Sequence, residues 1–213
     1  MEGKNVIVIG ADHSFADRMC RIWLDEGRVV LAAMTGSGLA SQVDSKHRIR
    51  FDPLEEQSVQ EMAMKASEVM ERIDMAVCCF YRRKESRLRD GIDSRDVMEM
   101  YDYNALAPLR AIEALLPHMT GGCKRIGFLS DVRGSVTEPR GARHIGYDMS
   151  LAARQMSIKI MSNALFSEGY TFRIALMDME RENAMPEDEL ARTVCRRLSD
   201  FADQEALKLF IAE

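Results

Sequence analysis

Seven short apolar runs recur along this chain, separated by stretches of helical patterning, and that alternation restricts the fold more than any other feature. The runs lie near 5–9 (NVIVI), 28–33, 47–51, 73–80, 124–130, 171–177 and 206–211. Helical segments lie near 14–26, 53–72, 95–118, 145–168 and 187–199. A strand that is apolar on both faces must be covered on both, and parallel strands joined by crossover helices meet that need. The pattern therefore predicts a doubly wound, mostly parallel α/β sheet of seven strands in a three-layer sandwich. No linker, repeat or low-complexity tract divides the chain, so residues 1–213 read as one domain. Pro53 is expected at a helix start and Pro108 to kink the long helix that holds it.

Charge and composition exclude several classes of function. The net charge of -5 gives no electrostatic reason to expect nucleic acid or an anionic membrane as partner. The basic run Arg82, Arg83, Lys84 has acids nearby and reads as a solvated loop or helix start. No stretch approaches the ~18 apolar residues of a membrane span. The first ten residues enter an apolar strand directly, which predicts a cytoplasmic protein. Five cysteines, an odd number without framework spacing, predict free thiols in a reducing compartment. Cys78 and Cys79 are adjacent in a predicted strand, so they should face opposite ways as buried, inert thiols, and no metal site is expected.

Four stretches carry chemistry. The first strand runs into Gly10-Ala11-Asp12-His13-Ser14-Phe15-Ala16 and a helix, where the amides of a helix start would hold a pyrophosphate. Asn104 lies in the long helical segment, Ser130-Asp131 ends the fifth strand, and Tyr147 lies in the following helix. Together they resemble the short-chain dehydrogenase/reductase family, over roughly residues 4–177. The resemblance implies a Rossmann-type sheet, NAD or NADP as cofactor, and a small carbonyl or hydroxy compound as substrate.

Residue by residue, the resemblance is eroded. Of the family's Gly-x-x-x-Gly-x-Gly only Gly10 remains, with Ser14 and Ala16 in the other two places; Ser14 also reads as a helix N-cap. By position, Gly10, Asp12, Ser14, Phe15 and Cys79 would line the cofactor. No acid follows the second strand to take the ribose hydroxyls, and Thr35 and Ser37 offer weak support for a 2′-phosphate. Asp52 matches the family's adenine contact or serves as a helix N-cap. The family's Ala-Gly after the fourth strand is replaced by Phe80-Tyr81, whose bulk would narrow or close the cleft.

At the catalytic end Tyr147 stands where the family has its acid/base tyrosine and Asn104 where it has its relay residue. The family's lysine, four residues after the tyrosine, is Leu151, and its catalytic serine is Asp131, with Ser130 one residue before. A tyrosine's unperturbed pKa is about 10, so without a cation only ~0.1% is ionised at pH 7. An ionised Asp131 would push it the wrong way and repel the oxyanion that forms in carbonyl reduction. Arg154, two helical turns on, either supplies the missing cation or lies at the surface. His144 is a second proton carrier or simply exposed. Residues 177–186 leave little chain for a substrate lid, which predicts a small or absent pocket.

The expectation is an oxidoreductase-like protein with a weak or inactive site. Its rivals are a nucleotide-responsive binding module and a structural partner of a catalytic homologue. Helices near 95–118 and 145–168 offer long faces for a homo-oligomer.

Overall fold

A computed structural model describes residues 5–36, 38, 42–137, 143–178 and 186–212. The strands are β1 (Asn5–Ile9), β2 (Val29–Met34), β3 (Arg48–Arg50), β4 (Met75–Cys78), β5 (Arg125–Asp131), β6 (Thr171–Met177) and β7 (Leu207–Ile211). They form one sheet in the order β3-β2-β1-β4-β5-β6-β7, with every pair parallel. The helices are α1 (Ser14–Asp25), α2 (Glu56–Val69), α3 (Ser94–Tyr101), α4 (Ala107–Leu115), α5 (Ile145–Leu165) and α6 (Glu187–Leu198).

The apolar strands bury both faces, as their composition requires. Ile7, Ile9, Leu31 and Ala33 lie in one core with residues of α2, α4 and α5. Their neighbours Val6, Val8, Val30 and Ala32 lie in a second core with α1 and α6. Cys78 joins the first core and Cys79 the second, so the adjacent thiols do face opposite ways. All five cysteines are free, and four are buried; Cys123 is partly exposed. Burial pushes the Cys78 thiol up to about 12, which makes it unreactive.

Two expectations change in detail. The segment predicted as one kinked helix over 95–118 is α3 and α4 joined by a π-helical turn, Asp102–Leu106, in which the Ala107 amide reaches back to the Asp102 carbonyl. Pro108 has no N–H to give the carbonyl four residues earlier, so the helix widens one turn before the proline. Pro53 precedes α2 rather than starting it, because Asp52 closes a turn there, accepting from the Leu54 amide at 2.9 Å. Asp52 is therefore not the N-cap of α2; Glu55 holds that position.

At the N-terminal edge of the sheet two buried arginines fix β7, a feature that periodicity does not announce. Arg125 donates to the carbonyls of Leu198, Asp200 and Asp203, and Arg173 to those of Asp203 and Glu205. These contacts place the α6–β7 connection and leave the opposite, C-terminal edge for chemistry. Among the described residues, no helix is long and apolar enough to cross a membrane.

Candidate functional site

The strand order reverses between β1 and β4, so the crevice used by doubly wound sheets opens above their C-terminal ends. Gly10 directly follows β1 at φ +83°, and a Cβ there would lie 2.4 Å from Phe80 Cβ and 2.6 Å from its amide nitrogen. Only glycine fits, because β1 and the end of β4 touch at that point. Phe80 is buried in the core and packs edge-on against Tyr103 at 5.4 Å. It does not stand over the crevice. Tyr81 does, with its ring 6.0 Å from His13 and 6.3 Å from Tyr147.

The start of α1 is capped by His13 and not by Ser14, which is the first helical residue. His13 Nδ1 accepts from the Ala16 amide at 3.4 Å while Nε2 lies 3.1 Å from the Cys79 carbonyl. The pair of contacts assigns the neutral tautomer with hydrogen on Nε2. Burial lowers the His13 pKa, in keeping with a neutral ring. The ring thus joins the helix start to the end of β4, across the path expected for a pyrophosphate.

On the β2 side, Asp12 Oδ2 accepts from both the amide and the hydroxyl of Thr35, each at 2.7 Å. The Thr35 hydroxyl gives its only hydrogen to Asp12, so the 3.1 Å contact with Tyr103 is a bond donated by the phenol. Tyr103 projects from the π turn and has the Arg82 guanidinium 4.1 Å from its ring centre. Sequence reasoning passed over Tyr103; its position beside Asn104 in the segment before Pro108 was the available signal. Ser37 lies outside the described residues, as do 179–185, on which the expectation of a missing lid rests. Phe15 is buried in the core beneath α1.

The catalytic-end residues do come together, but their bonds are turned inward. The Tyr147 hydroxyl donates to Asp131 Oδ2 at 3.3 Å, and Asp131 Oδ1 accepts from the Arg133 amide at 3.0 Å. Burial raises the Asp131 pKa, against the lowering effect of those two bonds. Burial, and then the Asp131 charge, raises the Tyr147 pKa; Arg154 pulls the other way and is outweighed. Leu151 sits with Tyr147 and Met100 in a small apolar cluster where the family has its lysine.

Arg154 is not a surface residue. It is 1% exposed and donates to the carbonyls of Phe80 at 3.1 Å and Cys78 at 3.5 Å, with the Phe128 ring 5.6 Å away. Asn104 is equally engaged. Its side chain accepts from the Arg82 amide at 2.7 Å and donates to the Arg82 carbonyl at 2.8 Å and to Ser150 at 2.9 Å. Ser150 in turn donates to the Tyr147 carbonyl at 2.7 Å, so Asn104 ties the β4–α3 connection to α5. The buried Ser130 hydroxyl has no partner among the described residues. His144 is half-buried at the N-cap of α5, its ring 6.5 Å from that of Tyr147.

A nicotinamide dinucleotide does not fit these residues as they stand. The polar groups at the end of β2 are bonded to one another, and the Arg154 guanidinium, a candidate for the missing cation, is bonded to the carbonyls of Cys78 and Phe80. Among the described residues no cluster suited to a metal ion occurs.

The architecture is that of a doubly wound parallel α/β domain. More narrowly, its fold is that of the short-chain dehydrogenases. A short-chain dehydrogenase from Mycobacterium smegmatis superposes with a TM-score of 0.84, covering 100% of this chain and 92% of that one at 16% identity. BdcA, in a complex with NADPH, gives 0.75, covering 100% and 94% at 16% identity. No protein-family model matches the chain. In sequence it is 32% identical to C-signal of Myxococcus xanthus over 80 residues, 37% of this chain and 48% of that protein, about half its length. It is 28% identical to 1-hydroxy-2-glutathionyl-2-methyl-3-butene dehydrogenase of Rhodococcus sp. (strain AD45) over 158 residues, 72% of this chain and 67% of that protein.

The raised pKa of Asp131 has a consequence for stability. A carboxyl whose folded-state pKa is raised binds its proton more tightly folded than unfolded. It costs nothing below its ordinary value of 3.8, and the cost grows as pH climbs through the folded value. Asp131→Asn is therefore expected to be more stable than the parent in urea melts at about pH 7.5, with the gain shrinking toward about pH 4. An unchanged or lowered stability at the higher pH would show that the carboxylate is well accommodated.

Proposed function

We propose that this chain is a divergent short-chain dehydrogenase/reductase-type protein whose carbonyl-reducing chemistry is weak or lost. The observation that carries the reading is the buried Asp131 carboxyl accepting the Tyr147 hydroxyl hydrogen, with Leu151 in the cation's place. The chemistry of this fold needs the tyrosine hydrogen for the carbonyl oxygen. An acid that already receives that hydrogen competes with the substrate, and its charge opposes the developing oxyanion.

In the catalytic reading, Tyr147 would be the acid/base, Asn104 the relay, Ser130 or Asp131 a substrate contact and Arg154 the cation. The bonds that Tyr147, Asn104 and Arg154 make speak against it. NAD or NADP is the cofactor the fold suggests, one neighbour of that fold being in complex with NADPH, and a small carbonyl or hydroxy compound the substrate class. Of the two sequence relatives, one bears the name of a dehydrogenase and the other that of a signal. The dehydrogenase name supports an oxidoreductase ancestry.

Reinstating the family residues tests the reading. Assayed at about 10 mM NADH or NADPH, so that weak cofactor binding does not mask the chemistry, the double variant Asp131→Ser, Leu151→Lys is expected to reduce a simple ketone at least about tenfold faster than the parent. Activity in the parent at ordinary enzyme rates, or its loss in the double variant, would contradict the proposal.

For the role left to such a scaffold we look to self-association. Met98 and Tyr101 on α3 and Met149, Met156 and Ile160 on α5 are exposed, the last two at 62% and 60%. Positions 149, 156 and 160 recur at helical spacing and share one face. We assign this face to a homo-oligomer and the protein to the cytoplasm, where its five free thiols would stay reduced. Light scattering should find the parent at a multiple of 24.1 kDa and Ile160→Glu shifted toward the monomer mass. A monomeric parent would rule the interface out.

A further inference from the structure

We infer that Tyr103 stands in for an adenosine ribose, so that the phenol of this chain closes the dinucleotide crevice at the end of β2. In doubly wound sheets the ribose hydroxyls of a dinucleotide are met at the C-terminal end of the second strand, by an acid that accepts from them. Here that place is occupied from within. Thr35 directly follows β2, and both of its donors go to Asp12. The remaining acceptor capacity of its hydroxyl takes the Tyr103 O–H. The phenol thus makes the bond that a ribose hydroxyl would make.

The ring is held there from two sides. Phe80 packs on it edge-on at 5.4 Å, and the Arg82 guanidinium lies 4.1 Å from its centre. Arg82 is itself anchored, through its backbone to Asn104 and through its guanidinium to Glu99 at 2.7 Å. Tyr103 is 7% exposed, which leaves the residue sealed between the π turn and the strand ends. The π turn is what aims it. A regular α-helix through 102–106 would rotate residue 103 relative to the sheet, and the extra residue in that turn fixes its direction. Phe80 backs the Tyr103 ring from the core side, while the Tyr103 hydroxyl occupies the end of β2.

Asp12 adds an obstacle to a 2′-phosphate in particular. Its Oδ2 is bonded to Thr35, while Oδ1 is shielded and has no partner among the described residues. An acceptor-only group in that state favours a neighbouring hydroxyl donor and disfavours phosphate. A ligand that displaced Tyr103 would therefore have to bring a hydroxyl; a free ribose diol offers two, whereas a 2′-phosphorylated ribose keeps only its 3′-hydroxyl and sets the phosphate against Asp12. The Thr35 hydroxyl, expected together with Ser37 to offer weak support for a 2′-phosphate, is here bonded to Asp12 and Tyr103.

The inference concerns binding and stands apart from the impaired carbonyl chemistry, which rests on Asp131, Tyr147 and Leu151. Calorimetric titration of the full chain with NADH, NADPH and ADP-ribose tests it. The parent is expected to bind none of them below about millimolar concentration. Tyr103→Ala should bind NADH and ADP-ribose at least about tenfold more tightly than the parent. Tyr103→Phe, which keeps the ring and loses only the hydroxyl, should fold like the parent and gain less. Micromolar binding by the parent would overturn the inference while leaving the catalytic reading intact. A folded Tyr103→Ala variant, judged by circular dichroism, that gains nothing would overturn it too. Should Tyr103→Ala fail to fold, the parent titration and Tyr103→Phe still decide the matter, since a parent that binds contradicts the closure outright.

Discussion

A buried arginine at the end of β4 organises the functional edge of this protein. Arg154 reaches the carbonyls of Cys78 and Phe80 from α5, and the Phe128 ring lies near its guanidinium. Buried charges usually have an ionic partner. This one has no salt bridge among the described residues and is met by backbone dipoles and an aromatic face. The bonds fix where β4 stops, and much else depends on that. Phe80 meets Gly10, the Cys79 carbonyl meets His13, and the next residues carry Tyr81 over the crevice and the Arg82 backbone to Asn104. The positive charge that could have tuned Tyr147 instead holds the strand end in place.

With that charge engaged, the remaining groups at the catalytic end have a simple hierarchy. Tyr147 is a buried hydroxyl, and the strongest acceptor it meets is Asp131. Desolvation disfavours the phenolate and the carboxylate alike, and a proton shared between them eases both. That is a poor arrangement for proton transfer to a ketone, because the hydrogen is already directed at an acid. The same inward turn recurs at the nucleotide end, where Asp12, Thr35 and Tyr103 bond to each other. At both ends, groups that a dinucleotide-dependent reductase would present to ligands are closed into internal networks.

Much of the fold was legible because it follows from burial. Apolar runs such as NVIVI leave no exposed face, so a parallel sheet with helices on both sides was forced, and the strand positions agree to within a few residues. The replacement of lysine by Leu151 and of serine by Asp131 was equally plain, since each changes the chemistry that a position can do. What the sequence could not convey was direction. Ser14 is a better N-cap than histidine by propensity, yet His13 wins because its second nitrogen also reaches the Cys79 carbonyl. Arg154 read as a candidate surface residue because nothing local shows that the β4 carbonyls lie within its reach. Phe80 looked like an obstruction over the crevice and instead points into the core, while Tyr103 drew no notice. Its direction is set by a π turn that a 3.6-residue pattern does not register.

The state of the Tyr147 phenol tests this account most directly. The five tyrosines allow site-resolved observation by ring ¹³C labelling, with Tyr147→Phe assigning the signal. If Tyr147 donates to Asp131 without a compensating cation, its ring carbon should keep the neutral-phenol shift through pH 7 to about 10, above which even free tyrosine ionises. A phenolate shift appearing between about pH 7 and 8 would mean that a positive charge does act on the hydroxyl. The site would then have to be regarded as a working acid/base centre.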